Sequence, residues 1–193
     1  MPDVRPLTIV PNEILRLVCK PIVWDKKTLE TVTALNDTVM AQTNPQGVGL
    51  SAPQIGKNAR LFVTWLSANP ESDPTVSDLK VYGNPVLTAH SADVTLGPDP
   101  EDPILEGCLS IPKIYGPVPR YEWVEIAFET WEQGKMVTKE ERAEGFLARV
   151  IQHEFDHLEG ILFTDYSLKY NLPVYEYVGK KLVAMDSEVL EAF

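Results

Sequence analysis

The chain is poor in cysteine, histidine, positive charge and long apolar stretches, and most of these shortages exclude a class of protein. Two cysteines in 193 residues argue against a disulfide-stabilised secreted scaffold. The chain has 17 basic and 28 acidic residues and so a net charge of −11. This charge argues against nonspecific binding to nucleic acid or anionic membranes. No apolar run approaches the length of a membrane span. The opening MPDVRPLTIV lacks the pattern of a signal or transit peptide, so we expect a cytoplasmic location.

The remaining composition is that of an ordinary globular protein, and the length predicts a single domain over residues 1–193. Helical spacing of apolar residues predicts helices over 26–42 and 141–158, and we expect residues 165–193 to form a C-terminal tail helix. Strands are predicted over 60–66 and 78–87, and YEWVEIAFETWEQGK alternates as a half-buried strand before a hairpin turn. The predicted fold class is α+β, with mostly antiparallel strands around a central helix.

Two of the three histidines lie four residues apart in HEFDH, inside that central helix. Positions i and i+4 share a helix face, so His153 and His157 can point their imidazoles at one cation. Glu154 is offset by about 100° and can reach a water on that cation without ligating it. This H-E-x-x-H arrangement is typical of metallohydrolases, and it favours a metal site over two unrelated histidines.

The third metal ligand is open on the residues alone. Catalytic sites of this kind use three protein ligands and keep one position for water. Glu176, downstream of His157, is one candidate, as in a large group of proteases. Cys108 in EGCLS is the other, because thiolates suit zinc and iron(II), although a lone cysteine is more often a packed apolar residue.

Three stretches, GVGLSAPQ (47–54), EGCLS (106–110) and QHEFDHLEG (152–160), strongly resemble the three motifs of peptide deformylases, in that family's order. The resemblance implies the peptide-deformylase fold around the H-E-x-x-H helix and a metal held by Cys108, His153 and His157. It implies removal of the N-formyl group from the initiator methionine of nascent chains, with release of formate. The expected ion is Fe²⁺, which Zn²⁺, Ni²⁺ or Co²⁺ can replace. The expected partner is an N-formylmethionyl peptide, and the expected state is a monomer.

The resemblance also implies a role for several side chains near the metal. Glu154 would take a proton from water and pass it to the leaving amine. The Gln54 amide and the Leu109 backbone N–H would donate hydrogen bonds to the oxyanion. Glu106 and Gln152 match motif positions and are expected to orient the ligating groups.

The peptide is expected to lie along GVG like an added strand, with its methionine in an apolar pocket. A simple tight loop is the alternative interpretation of this stretch, and a phosphate loop is excluded because no Gly-Lys-Ser/Thr follows. The expected substrate-binding residues are Gly47, Val48, Gly49, Ile104, Glu106, Gly107, Phe146 and Val150, of which the apolar side chains would form the methionine pocket.

The sequence departs from the family pattern at three places. Ser51 stands where alanine is usual, and its hydroxyl can add a hydrogen bond. Tyr115 lies near the position of an arginine that helps many bacterial members to hold the peptide. Residues 165–193 carry three lysines against five acids, so we expect no direct nucleic-acid binding and no ribosomal RNA contact through this tail.

Three alternatives stay open beside the deformylase interpretation. One is an H-E-x-x-H metallopeptidase with Glu176 as third ligand. Another is a deformylase-like hydrolase that acts on a different N-acyl group. A non-enzymatic binding module is disfavoured, because an inactive relative is expected to lose the glutamate that this chain keeps as Glu154.

Overall fold

The structure is a computed structural model, and it describes residues 2–69, 71–99, 101–179, 181–186, 190 and 193. Its strands form antiparallel sheets, which surround the helix that carries the two neighbouring histidines. In chain order the elements are α1 (Lys26–Met40), β1 (Gly49–Ser51), β2 (Leu61–Trp65), β3 (Leu79–His90), β4 (Val94–Thr95), β5 (Leu105–Cys108), β6 (Ile111–Pro117), β7 (Arg120–Tyr121), β8 (Trp123–Glu132), β9 (Lys135–Glu144), α2 (Gly145–Leu158), α3 (Phe163–Tyr170), β10 (Val174–Val178) and β11 (Lys181–Met185).

The described strands form three sheets, with orders β1-β2-β3-β8-β9, β11-β10-β6-β5 and β4-β7. Every strand pairing is antiparallel. The predicted α+β class and the predicted strands at 60–66 and 78–87 are confirmed. Two short strands, β1 and β5, each form one edge of their sheet, so their outer backbone groups can pair with another extended chain.

Helix α1 begins where the sequence predicts and ends slightly earlier. The Asp25 carboxylate accepts a hydrogen bond of 2.8 Å from the Thr28 backbone N–H and so caps the first turn. Leu35 and Val39 are fully buried in a cluster that also contains Leu50 of β1. This packing fixes the strand that carries the GVG motif. None of the helices in the described part of the chain is long and apolar enough to span a membrane.

Helix α2 begins at Gly145, not at residue 141 as predicted. The ten residues of β9 pair with β8 along their whole length, and Gln133 and Gly134 form the turn between them with positive φ angles of 52° and 82°. Strand pairing therefore takes residues 141–144, and Gly145, at φ 58°, redirects the chain into the helix. Ala148, Ile151 and Leu158 then pack in one cluster with the inner face of β8.

The predicted tail helix over 165–193 is wrong. Helix α3 ends before Asn171, which has a left-handed conformation, and the chain continues as the hairpin β10–β11 with Gly179 in its turn. Strand β10 also pairs with β6. Its residues VYEYV are aromatic and β-branched, which favours a strand against a sheet edge over a helix in solution. Residues 180, 187–189, 191 and 192 of the predicted tail lie outside the described residues, and the single domain stays a prediction.

Candidate active site

A cavity of about 1010 Å³ lies where residues of the edge strands β1 and β5 face helix α2. The predicted catalytic, metal-binding and substrate-binding residues all line this cavity except His157, which is 1% exposed; Gln152, expected to orient the ligands, does not line it. The three motifs are far apart in the chain and meet here because β1 and β5 belong to different sheets that both border α2.

The cavity contains a group of three possible metal ligands. Single ligand atoms of Cys108, His153 and His157 all lie within 4.8 Å of one another. The Cys108 Sγ lies 3.2 Å from His157 Nε2. One thiol and two imidazoles suit zinc or iron(II). Among the described residues Glu176 is not part of this group; it lies in β10 opposite Ile114, so the alternative third ligand finds no support.

The two histidines differ in their surroundings. Burial, with a contribution from the neighbouring His153, holds the pKa of His157 well below its ordinary value, so its ring is neutral, as a metal ligand must be. Burial also disfavours charge on His153, but its hydrogen bonds with Cys108 and Glu106 outweigh this and raise its pKa. His153 Nδ1 donates to Glu106 Oε2 over 3.2 Å, which leaves Nε2 as its possible ligand atom.

Glu106 anchors a buried charge network behind His153. Arg120, 2% exposed, donates to both Glu106 oxygens over 3.0 and 2.9 Å and also to Asp156. Burial by itself would raise the pKa of Glu106, but Arg120 and His153 hold that pKa well below its usual range. Glu106 therefore stays an anion that orients His153. Its predicted place among substrate-binding residues is limited to the cavity wall, because its oxygens already have partners.

Sequence reasoning missed three members of this network and misplaced one residue. Arg149 donates to Glu106 and to two backbone carbonyls, although it interrupts the apolar stripe of α2. Arg120 in PVPRY and Asp156 between the histidines were also missed; a charge inside an otherwise apolar stretch is the pattern that could have indicated them. Gln152 was expected to orient the metal ligands, but its amide bonds the backbone N–H and C=O of Tyr121 and so pins α2 to β7.

Glu154, next to His153 in α2, also lines the cavity. It is 3% exposed, and among the described residues its Oε2 has no hydrogen-bond partner. Burial raises the pKa of Glu154 to about 7, although the neighbouring His153 opposes this shift. A Cβ on Gly49 would lie 2.6 Å from Glu154 Oε1, so only glycine lets β1 pass this carboxylate. The site thus holds a carboxyl group that can accept and release a proton near neutral pH.

Gln54 is fixed by Ser51 in the short helical turn that follows β1. Gln54 Oε1 accepts hydrogen bonds from the Ser51 backbone N–H over 2.8 Å and from Ser51 Oγ over 2.9 Å. Its Nε2 donates toward Cys108 Sγ over 3.5 Å. Ser51 and Gln54 are both buried. The amide N–H₂ therefore points toward the ligand group, beside Leu109 on the cavity wall.

The predicted methionine pocket also lies in this cavity. Val48, Ile104, Phe146 and Val150 all line it, with Val150 6% exposed and Phe146 53% exposed. These four side chains supply an apolar wall that extends from buried helix surface to solvent-exposed rim.

Comparison with known proteins identifies one family. The sequence model of the polypeptide deformylase family matches residues 4–171. A peptide deformylase of Bradyrhizobium diazoefficiens is 38% identical over 165 residues, which cover 86% of this chain and 88% of the relative. One of Roseiflexus castenholzii is 37% identical over 154 residues, covering 80% of this chain and 81% of the relative.

Solved structures agree with the sequence relatives. A crystal structure of the class I type b peptide deformylase from Acinetobacter baumannii with Met-Ala-Ser bound matches with a TM-score of 0.70 at 32% identity. It covers 86% of this chain and 99% of its own. The peptide deformylase of Thermotoga maritima matches with a TM-score of 0.68 at 29% identity, covering 84% of this chain and 97% of its own.

Proposed function

The chain belongs to the polypeptide deformylase family, metalloenzymes that remove the formyl group from nascent peptides, and we propose which of its residues perform this hydrolysis. The observation that carries the proposal is the Cys108, His153 and His157 group with Glu154 beside it in one cavity. We propose that the first three hold the metal and that Glu154 moves the proton.

The proposed ion is Fe²⁺, with Zn²⁺, Ni²⁺ or Co²⁺ as replacements. A cysteine and two histidines, which give up their protons when they bind a metal, suit all four ions, so the preference for iron(II) rests on the family resemblance. When bound, the ion supplies Lewis acidity, which makes water a nucleophile near neutral pH and polarises a carbonyl. Glu106 contributes by holding the His153 ring in the orientation that frees its Nε2.

The proposed substrate is an N-formylmethionyl peptide, in line with the Met-Ala-Ser bound to the Acinetobacter baumannii relative. An extended peptide can hydrogen-bond the free edge of β1 at Gly49 and the segment that leads into it, Gly47 and Val48. It can also hydrogen-bond the edge of β5 at Gly107. The methionine side chain then packs against the apolar wall, which is formed by Val48, Ile104, Phe146 and Val150.

Glu154 accepts the proton of the attacking water and returns it to the departing amine nitrogen, so that formate and a free amino terminus are released. A raised pKa suits both steps, because the group must be a base first and an acid afterwards. The Gln54 Nε2 and the Leu109 backbone N–H donate to the developing oxyanion, and Ser51 keeps the Gln54 amide turned the right way.

The proposed setting is a monomer in the cytoplasm without direct nucleic-acid contact. The absence of nucleic-acid contact is supported by charge, since the chain carries a net charge of −11 and its tail is acidic. The monomer and the location rest on the family resemblance.

The test is formate release from formyl-Met-Ala-Ser by protein purified anaerobically with iron(II). We expect rapid release from the wild type. Elemental analysis of two variants then separates the ligand sets: Cys108→Ser should lose or alter the metal, whereas Glu176→Gln should retain it. Metal loss in Glu176→Gln alone would support the peptidase alternative, and absence of formate from the iron-loaded wild type would refute the proposed reaction.

A further inference from the structure

One side chain that lines the cavity comes from outside the stretch that the family sequence model matches. That match ends at residue 171, whereas Tyr177 belongs to β10, which begins at Val174. Tyr177 nevertheless lines the cavity together with Tyr115 of β6. The C-terminal hairpin therefore adds an aromatic side chain to the surface that the substrate meets.

Sheet pairing places the two rings on the same face. Tyr175 lies opposite Tyr115 in the β10–β6 ladder, so Tyr177, two residues further along β10, points to the same side. The rings of Tyr115 and Tyr177 meet edge to face, with centroids 5.2 Å apart and planes at 84°. This diagonal contact across neighbouring strands is within the reach of aromatic side chains and fixes both rings.

The Tyr115 ring also covers the edge strand beside the metal ligands. Gly107 lies opposite Tyr115 in the β5–β6 ladder, and a Cβ on Gly107 would lie 2.6 Å from Tyr115 Cε1. The ring is thus in close contact with the residue that precedes Cys108. Tyr177 stands beyond it and is 44% exposed, so part of its ring is free for contact.

We propose that Tyr115 and Tyr177 form a subsite for the side chain of one of the two residues that follow the formylated methionine, and that it favours an aromatic side chain there. The proposal rests on the proposed function. An extended peptide advances about 3.3 Å per residue, so a chain that starts at the ligand group passes this pair within a few residues. Neither ring carries a charge, and the exposed Tyr177 face can stack with another ring.

The test compares kcat/KM for formyl-Met-Ala-Ser, formyl-Met-Phe-Ser and formyl-Met-Ala-Phe. We expect one of the phenylalanine peptides to exceed the first by about three- to tenfold, through a lower KM, because the contact forms in the bound peptide and does not change in the reaction. Tyr177→Ala should abolish the excess, measured as the ratio of kcat/KM for the phenylalanine peptide to that for formyl-Met-Ala-Ser in the same variant. Tyr177→Phe should retain it, since the ring remains.

Val183→Ala is the matched control in the same hairpin. Val183 lies opposite Glu176, so it faces away from Tyr177, and it is 46% exposed. It should preserve the ranking of the peptides, and thermal unfolding of each variant checks that the hairpin stays folded. A ranking that Tyr177→Ala leaves intact, or equal kcat/KM for all three peptides, would overturn the subsite.

Calorimetric titration of the product peptides Met-Ala-Ser, Met-Phe-Ser and Met-Ala-Phe measures the subsite without turnover. Tighter binding of one phenylalanine peptide, lost in Tyr177→Ala, supports it even if no formate appears. Equal affinities overturn it. A lack of formate with preserved binding preference counts against the proposed reaction alone, so the two failures are distinguishable.

Discussion

Two buried glutamates interact with His153, and their surroundings push their pKa values in opposite directions. Glu106 accepts hydrogen bonds from Arg120, Arg149 and His153, and its pKa is held below the usual range against the effect of burial. Glu154, which follows His153 in the chain, is buried as well. One of its oxygens has no hydrogen-bond partner among the described residues, and burial raises its pKa to about 7.

The difference shows that burial alone does not decide the role of a carboxyl group. Donors and cations within hydrogen-bond distance stabilise the anion, and where they are few, burial favours the neutral form. A permanent anion can hold a histidine in place, whereas a group with a pKa near 7 can exchange protons. Strand β5 thus supplies the group that orients His153, Glu106, and helix α2 supplies the proton-transfer group, Glu154.

The largest effect is expected from removing the proton-transfer group. Glu154→Gln keeps the shape of the side chain but cannot act as a base, so kcat should fall about 100- to 10,000-fold. Metal content, measured by elemental analysis, should stay at the wild-type level, because Glu154 is not in the ligand group.

Glu106→Gln is the matched variant at the other glutamate. Losing its anion should weaken metal affinity about 10- to 100-fold, since His153 loses its oriented partner. The contrast between the two glutamates breaks down if Glu154→Gln loses metal while Glu106→Gln keeps it.

The next largest effect is expected on stability, from the network behind the ring. Arg120→Met leaves Glu106 and Asp156 buried without their main cation, and it should lower the free energy of unfolding by about 3–5 kcal/mol. Arg5→Met is the control, because Arg5 forms an exposed pair with Asp3 that should contribute less than about 1 kcal/mol. Urea denaturation measures both. Equal losses would mean that the buried network contributes no more than a surface pair.

The sequence predicts the two histidines and Glu154 better than it predicts the charge network around Glu106. His153, Glu154 and His157 are identifiable because their helical spacing is itself the requirement of the chemistry. Arg120 has no such spacing: its partners lie at positions 106 and 156, and only the fold brings them together.

The C-terminal hairpin was missed for a similar reason. Its strand β10 is stabilised by pairing with β6, a contact between distant parts of the chain that local pattern does not contain. Helix α2 shows the same limit at its start, where pairing of β9 with β8 overrides helical spacing in residues 141–144. The inner part of α2, where apolar spacing and burial coincide, is predicted correctly.

The smallest effect concerns Ser51, which holds the Gln54 amide. Its hydroxyl provides one of two hydrogen bonds to Gln54 Oε1, and the backbone N–H provides the other. Ser51→Ala removes only the first, so kcat should fall about two- to tenfold with KM unchanged.

Measuring Ser51→Ala in a protein that also carries Gln54→Ala shows whether the Ser51 hydroxyl acts through Gln54. If the hydroxyl acts by orienting the Gln54 amide, Ser51→Ala should have no further effect once that amide is absent, and the double-mutant cycle should show a coupling as large as the single effect. Ser51 also lowers the pKa of the Glu154 carboxyl, against the larger effect of burial. A loss of rate that persists in Gln54→Ala would therefore move the role of the hydroxyl from the oxyanion donor to the proton-transfer group.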